Sequence, residues 1–106
     1  MTVHNELASG HLEKTYENAL RLELMHVGLR VKAQVPRKVV YRGEAVGEFF
    51  TDLEVEDRVL LELKAATSLH PAHRAQCINY LKISGLPVCL LLNFGTPSLK
   101  WERLVR

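Results

Sequence analysis

Val59-Leu60-Leu61-Glu62-Leu63-Lys64-Ala65 is the stretch on which the reading of this chain turns. It reads as a buried β-strand that carries two charges. Strand side chains alternate between faces, so Glu62 and Lys64 share one face while Leu61, Leu63 and Ala65 line the other. A buried charge is costly without a partner, a metal or an opening to water. The preceding strand, Phe49-Phe50-Thr51-Asp52-Leu53-Glu54-Val55, adds another carboxylate. Two acids and a lysine on one sheet face are the minimum set for holding a divalent cation and activating water.

The register between these two strands decides whether the charges meet. A two-residue turn at Glu56-Asp57 opposes Asp52 to Leu61 and scatters them. A three-residue loop over Glu56, Asp57 and Arg58 opposes Val55 to Val59, Leu53 to Leu61, Asp52 to Glu62 and Phe50 to Lys64. The second register matches the apolar faces, and a one-residue slip would turn every side chain to the wrong side. Asp52 and Glu62 are therefore expected as cross-strand neighbours. Carboxylates about 5 Å apart repel, so one holds a proton or a cation sits between them. Oxygen ligands with open positions suit Mg²⁺ or Mn²⁺. Lys64, two residues on, is placed to hold an attacking water or to neutralise developing charge.

Further out, residues 12–27 have the spacing of an amphipathic helix, with Leu12, Tyr16, Leu20, Leu24 and Val27 inward and Ala19 beside them. Lys14, Glu17, Arg21 and His26 fall off that stripe, and Gly28 is the stop. Val3 to Leu7 reads as the last turn of an earlier helix, broken at Ser9-Gly10. Residues 29–35 alternate as a half-buried strand, with Pro36 ending it or sitting at its edge. Lys38 to Arg42 is a second short strand before a turn at Arg42-Gly43-Glu44, and a long strand follows from about Val46 to Val55. Pro71 opens a helix that runs to Ser84 and closes at Gly85, with Ala75, Cys77, Ile78 and Leu81 inward. Val88 to Phe94 is a central strand, and Trp101 to Val105 an edge strand. The strand–helix–strand unit from Val59 to Phe94 is expected to be a crossover with parallel strands.

A length of 106 residues suits one domain with a core of its own. No apolar run is long enough to span a membrane, and no secretory pattern opens the chain, so a cytoplasmic location is expected. Cys77 and Cys89 lie in apolar segments and read as buried, reduced thiols. The net charge of +2 is small but unevenly placed. No acid lies between Glu23 and Glu44, where Arg30, Lys32, Arg37, Lys38 and Arg42 fall. None lies between Glu62 and Glu102. Such segregation fits a polyanion-binding surface and fits ordinary surface variation equally well.

Asp52 followed, after a hairpin, by Glu62-Leu63-Lys64 resembles the signature of the PD-(D/E)XK nuclease superfamily. Gly10-His11-Leu12-Glu13-Lys14-Thr15-Tyr16 is similar to the pattern that names the GxxExxY proteins, a small group within it. The likeness continues through Gln34-Val35-Pro36, Tyr41-Arg42-Gly43, Ala65, His73, Gln76 with Tyr80-Leu81, and Leu92-Asn93-Phe94. The resemblance implies an α/β, restriction-endonuclease-like core: a mixed sheet flanked by two helices in the order α-β-β-β-α-β-β. It implies Asp52 and Glu62 as metal ligands with the Leu63 carbonyl, and Glu13 as a further acid reaching the metal or its water. Lys64 is the implied catalytic lysine, and Gln76 a polar residue lining the site. Tyr16 and Tyr80 are implied as packing or orienting residues.

Thr51 stands where the superfamily name has proline. His70 stands where relatives carry Thr or Ser, which predicts a weaker helix cap. The N-terminal helix reads as truncated relative to relatives.

Each residue also has a plainer reading. Glu62 with Lys64 is a structural ion pair, Glu13 favours its helix dipole, Gln76 is a surface residue, and His70 and His73 are exposed loop histidines. Trp101 packs an edge, and the cations of 30–42 form a solvated hairpin face. The expected function is a Mg²⁺- or Mn²⁺-dependent nuclease acting on DNA or RNA. The alternative is a catalytically silent nucleic-acid-binding or regulatory module with the same fold. A domain this small has little surface to grip a duplex, so a homodimer is a reasonable form.

Overall fold

Alternation of apolar and polar residues builds a five-stranded sheet, with one helix against each face. The computed structural model describes residues 13–106. The expected turn at Val3 to Leu7, the break at Ser9-Gly10 and the inward Leu12 lie outside the described residues. The elements are α1 (Glu13–His26), β1 (Val31–Tyr41), β2 (Glu44–Val55), β3 (Val59–Lys64), α2 (Pro71–Ser84), β4 (Val88–Asn93) and β5 (Lys100–Val105). The sheet order is β1-β2-β3-β4-β5. Only β3 and β4 are parallel, as the crossover through α2 requires.

Each sheet face buries its own apolar cluster. Leu53, Leu61, Leu63 and Leu92 pack with Tyr16 and Leu20 of α1. Leu60, Cys89 and Leu91 pack with Cys77 and Leu81 of α2. Both cysteines are free and buried, as expected. The stacked rings of Tyr16 and Phe94, with centroids 4.1 Å apart, pin α1 to the end of β4. Val27 is 64% exposed, so the inward stripe stops short of it. Ala75 is likewise exposed and not inward.

Of the two places open to Pro36, the strand end and the sheet edge, it takes the edge. β1 runs through it, with Pro36 opposite Phe50, so the two short strands read from the sequence are one. The physical reason is position. β1 is an edge strand, where a missing N–H leaves no ladder partner unsatisfied. The hairpin turns on Arg42 and Gly43, with φ of 52° and 79°. This pair of left-handed residues matches the twist of the flanking strands.

His70 caps α2 better than expected. Its Nδ1 accepts from the Ala72 N–H, while its own N–H donates to His73 Nδ1. Two histidines thus supply the reciprocal bonds of a capping box. Gly85, at φ 77°, ends the helix by donating to the Leu81 carbonyl.

Asn93 clips the chain that leaves β3. Its side chain accepts from the N–H groups of Ala66 and Gly95 and donates to the Ala66 carbonyl. Gly95 is required there, because a Cβ would lie 2.4 Å from the Ala66 nitrogen and 2.6 Å from its oxygen. Gly95→Ala should therefore cost about 2–3 kcal/mol, as overpacking against backbone does. Urea unfolding checks this, with a lower midpoint and unchanged slope expected.

A candidate site where two strands part

The β2–β3 ladder has the register that matches the apolar faces, Val55↔Val59 and Leu53↔Leu61, and it stops there. The expected Phe50–Lys64 pair is not made. Phe50 lies opposite Pro36 and is 53% exposed. Beyond Leu53 the carboxylates take over the backbone bonding. Asp52 Oδ2 accepts from the Leu63 N–H at 2.8 Å, and Glu62 Oε1 accepts from the Asp52 N–H at 3.3 Å. Asp52 and Glu62 are thus neighbours at the seam, as the three-residue loop predicts. The Leu63 side chain lies in the apolar core.

Lys64 Nζ donates to Gln76 Oε1 at 3.2 Å, and Gln76 Nε2 donates to Tyr80 Oη at 2.9 Å. Tyr80 in turn stacks on Phe49, with centroids 3.9 Å apart. The hairpin and α2 therefore position the lysine through Tyr80 and Gln76. Glu62 and Lys64 are not paired with each other, which removes the plain ion-pair reading. Glu13 approaches from the first turn of α1, close enough for Asp52 to push its pKa up and for Lys64 to pull it down. Burial is the largest cause of its net upward shift.

Glu17 is the residue that hydrophobicity alone misplaces. It is 3% exposed. Its carboxylate accepts from Gln34 Nε2 at 2.7 Å and from Lys14 Nζ at 2.8 Å. Glu13, Tyr16, Glu17 and Leu20 follow the spacing of a single helix face, so the positions could be read even though the residue types misled. Gln34 has φ 52°, rare for a side chain of its kind. The β1–β2 pairs Ala33↔Leu53 and Val35↔Thr51 lie on either side of it.

Three of the five cations of the basic run 30–42 are paired with acids. Arg30 pairs with Glu56, Lys32 with Asp57, and Arg37 with the buried Glu54, which also accepts from Thr51. A phosphate-tracking hairpin would need those cations free.

Burial, followed by the neighbouring Asp52 charge, pushes the Glu62 carboxyl up to about 9. Burial is also the first cause of the upward shift of Asp52, with Glu17 adding to it. Asp52 and Glu62 offer hard oxygen donors of the kind that suits Mg²⁺. Each already spends one oxygen on a backbone N–H. Among the described residues, no group of three or more His, Cys, Asp or Glu side chains is placed to hold a metal ion together.

A parallel β3–β4 pair bridged by α2, with an antiparallel hairpin on one side, defines a restriction-endonuclease-like α/β fold. The model of the PD-(D/E)XK nuclease superfamily matches residues 1–104, and the chain belongs to that superfamily. Among solved structures it is similar to the one titled "Crystal structure of SSO0001", with a TM-score of 0.60 and 15% identity. The likeness covers 84% of this chain and 50% of that one, so this chain spans about half its length. At that identity the likeness is one of fold. No curated protein matches the sequence. No described helix is long and apolar enough to cross a membrane.

The raised Glu62 pKa has a measurable consequence for stability. Between pH 4.5, the ordinary value, and about 9, the folded chain holds a proton on Glu62 that the unfolded chain has released. Stability from this group is full below the lower value and falls as pH rises toward the upper one. Glu62→Gln mimics the protonated form at every pH. In a chelator-containing buffer it should melt about 5 °C or more above the parent at pH 8, a gap of roughly 1 kcal/mol or more, narrowing toward pH 5.

Proposed function

We propose that this chain is a nucleic-acid-binding or regulatory module built on the nuclease fold, and that it belongs to the GxxExxY group. The carrying observation is the bonding at the seam. Asp52 and Glu62 are both engaged by backbone N–H groups, and no third ligating side chain joins them among the described residues. Lys64, held by a neutral glutamine, is a cation available to a phosphate. The Glu13-x-x-Tyr16 part of the group's pattern also has a physical basis here. Tyr16 locks α1 against Phe94, and Glu13 sits one turn earlier on the same face.

Divalent-cation-dependent hydrolysis of phosphodiester bonds is the second reading. It is favoured by the convergence of Asp52, Glu62, Lys64 and Gln76 at one notch. The donor chemistry fits Mg²⁺ or Mn²⁺, which commonly takes one or two carboxylates and completes its shell with water and phosphate. Asp52, Glu62 and the Leu63 carbonyl would hold the ion, with Glu13 beside it. When bound, such an ion polarises a phosphoryl oxygen and lowers the pKa of its water. Lys64 would orient the attacking water or offset charge on the phosphoryl oxygens, and Gln76 would hold Lys64 in place.

Two measurements on a labelled oligonucleotide separate these readings. Anisotropy in EDTA reads binding, and gel analysis in millimolar Mg²⁺ or Mn²⁺ reads cleavage. The module reading expects binding without products. Lys64→Ala should then weaken binding several-fold and lower its salt slope by about one. The nuclease reading expects products, with Lys64→Ala slowing their formation by about a hundredfold or more. Absence of both binding and products, with DNA and with RNA, would remove both readings.

A further inference from the structure

The two cysteines meet where α2 lies on the sheet. Cys77, on the inward face of α2, and Cys89, on β4, belong to one buried cluster with Leu60, Leu81, Leu86 and Leu91. Both are free, and both are closed to solvent. The Cys89 thiol donates a hydrogen bond to the Cys77 sulfur. A single buried thiol reads as a small apolar side chain. Two thiols in contact are a different object, because a bond between them would join a helix to a strand.

Cys77 also stands next to the group that aims the lysine. Gln76, the residue before it, accepts from Lys64 Nζ, and Gln76 in turn donates to Tyr80 Oη. The bond from Cys89 is the main cause that lowers the Cys77 thiol, and the Lys64 charge adds to it. Cys89 itself is fixed, because β4 is bonded to β3 on one side and to β5 on the other. Side chains alone hold the middle of α2 to the sheet, so α2 is the element that yields.

We propose that Cys77 and Cys89 form a reversible disulfide under hydrogen peroxide, and that this bond releases Lys64 by moving Gln76. The Cys77 sulfur attacks one peroxide oxygen, the O–O bond breaks, and the leaving hydroxide takes the Cys77 proton to become water. The Cys89 sulfur then attacks the sulfenic acid at Cys77. The S–O bond breaks, and hydroxide leaves with the Cys89 proton as a second water. Both sulfurs are oxidised and one peroxide is reduced. A dithiol reverses the bond by exchange. Because the thiols are buried, peroxide reaches them only when α2 opens locally, and the reaction is slower than at an exposed thiol.

The geometry links the bond to the lysine. A disulfide holds its sulfurs about 2 Å apart, well inside hydrogen-bond contact, so α2 must close on β4 at Cys77. Gln76 shifts with its neighbour. The Lys64–Gln76 bond, at 3.2 Å, is already long, and a small displacement breaks it. The expected effect on binding rests on the nucleic-acid reading above, whereas the effect on Lys64 does not.

The test compares the full chain in its reduced form with the chain treated with hydrogen peroxide and then catalase. Peptide mapping is expected to show a Cys77–Cys89 link within one chain, lost again in dithiothreitol. Acetylation of Lys64 by acetic anhydride, read by the same mapping, should run several-fold faster in the oxidised chain. Oligonucleotide binding, read by anisotropy in EDTA, should weaken several-fold on oxidation and recover on reduction. Cys77→Ala and Cys89→Ala should make Lys64 labelling indifferent to peroxide. The two redox forms of the parent carry the comparison should either variant fail to fold. Sulfinic acids or links between chains in place of that bond would overturn the proposal. So would a disulfide that leaves Lys64 labelling unchanged. Binding absent from both forms would remove the nucleic-acid reading, and Lys64 labelling would still decide this one.

Discussion

The point where β2 leaves β3 governs this molecule. The ladder between them ends at Leu53↔Leu61. A sheet that splits leaves backbone N–H groups without partners, and a buried one is costly. Here the side chains of Asp52 and Glu62 close the gap, each accepting an N–H from the other strand. The split lets the β1–β2 hairpin run on alone, and the molecule is long in consequence, 46 × 31 × 22 Å. It also gathers polar side chains where the strands part: Asp52 and Glu62 at the seam, and Lys64 bonded to Gln76 beyond it.

Holding carboxylates in such a place has consequences for the surroundings. Glu17 lies under the notch with Lys14 and Gln34 as partners, and its charge adds to the upward shift of Asp52. Gln34 reaches Glu17 from a left-handed backbone, a conformation that costs on the order of 1–3 kcal/mol in a residue of this type. A neutral amide donor on a buried acid lessens the desolvation cost without placing a second full charge in the core. The strain at Gln34 and the bond to Glu17 are thus two sides of one arrangement.

The legible parts of the fold were those with a local cause. Glu62 and Lys64 stood out against an apolar strand of period two. The three-residue loop followed from matching Leu53 and Val55 to Leu61 and Val59. Pro71 and Gly85 bracketed α2. What stayed hidden depended on distant partners. Arg30, Lys32 and Arg37 meet acids 17 to 26 residues away, so no local pattern shows them neutralised. Pro36 allowed a strand end or an edge position, and only the long-range pairing of β1 decides for the edge. Glu17 was misread for a different reason: residue type was given more weight than helical spacing. His70 looked like a poor cap because imidazole rarely takes that place, yet His73 stood three residues later to complete the box.

Asp52 and Glu62 also bear on how a nuclease fold is told from a nuclease. Both carboxylates bond backbone that no other described side chain is bonded to, so the fold has a use for them whether or not an ion ever binds. Their presence alone therefore does not discriminate between binding and turnover. Lys64 is different. It bonds a single glutamine oxygen at 3.2 Å, a neutral contact at a half-buried position. A bond of that kind contributes about 1 kcal/mol to folding, and many side chains would fill the space as well. A cation kept there, aimed by Gln76 and Tyr80, also lies close enough to Asp52 and Glu13 to oppose the upward shift of both acids.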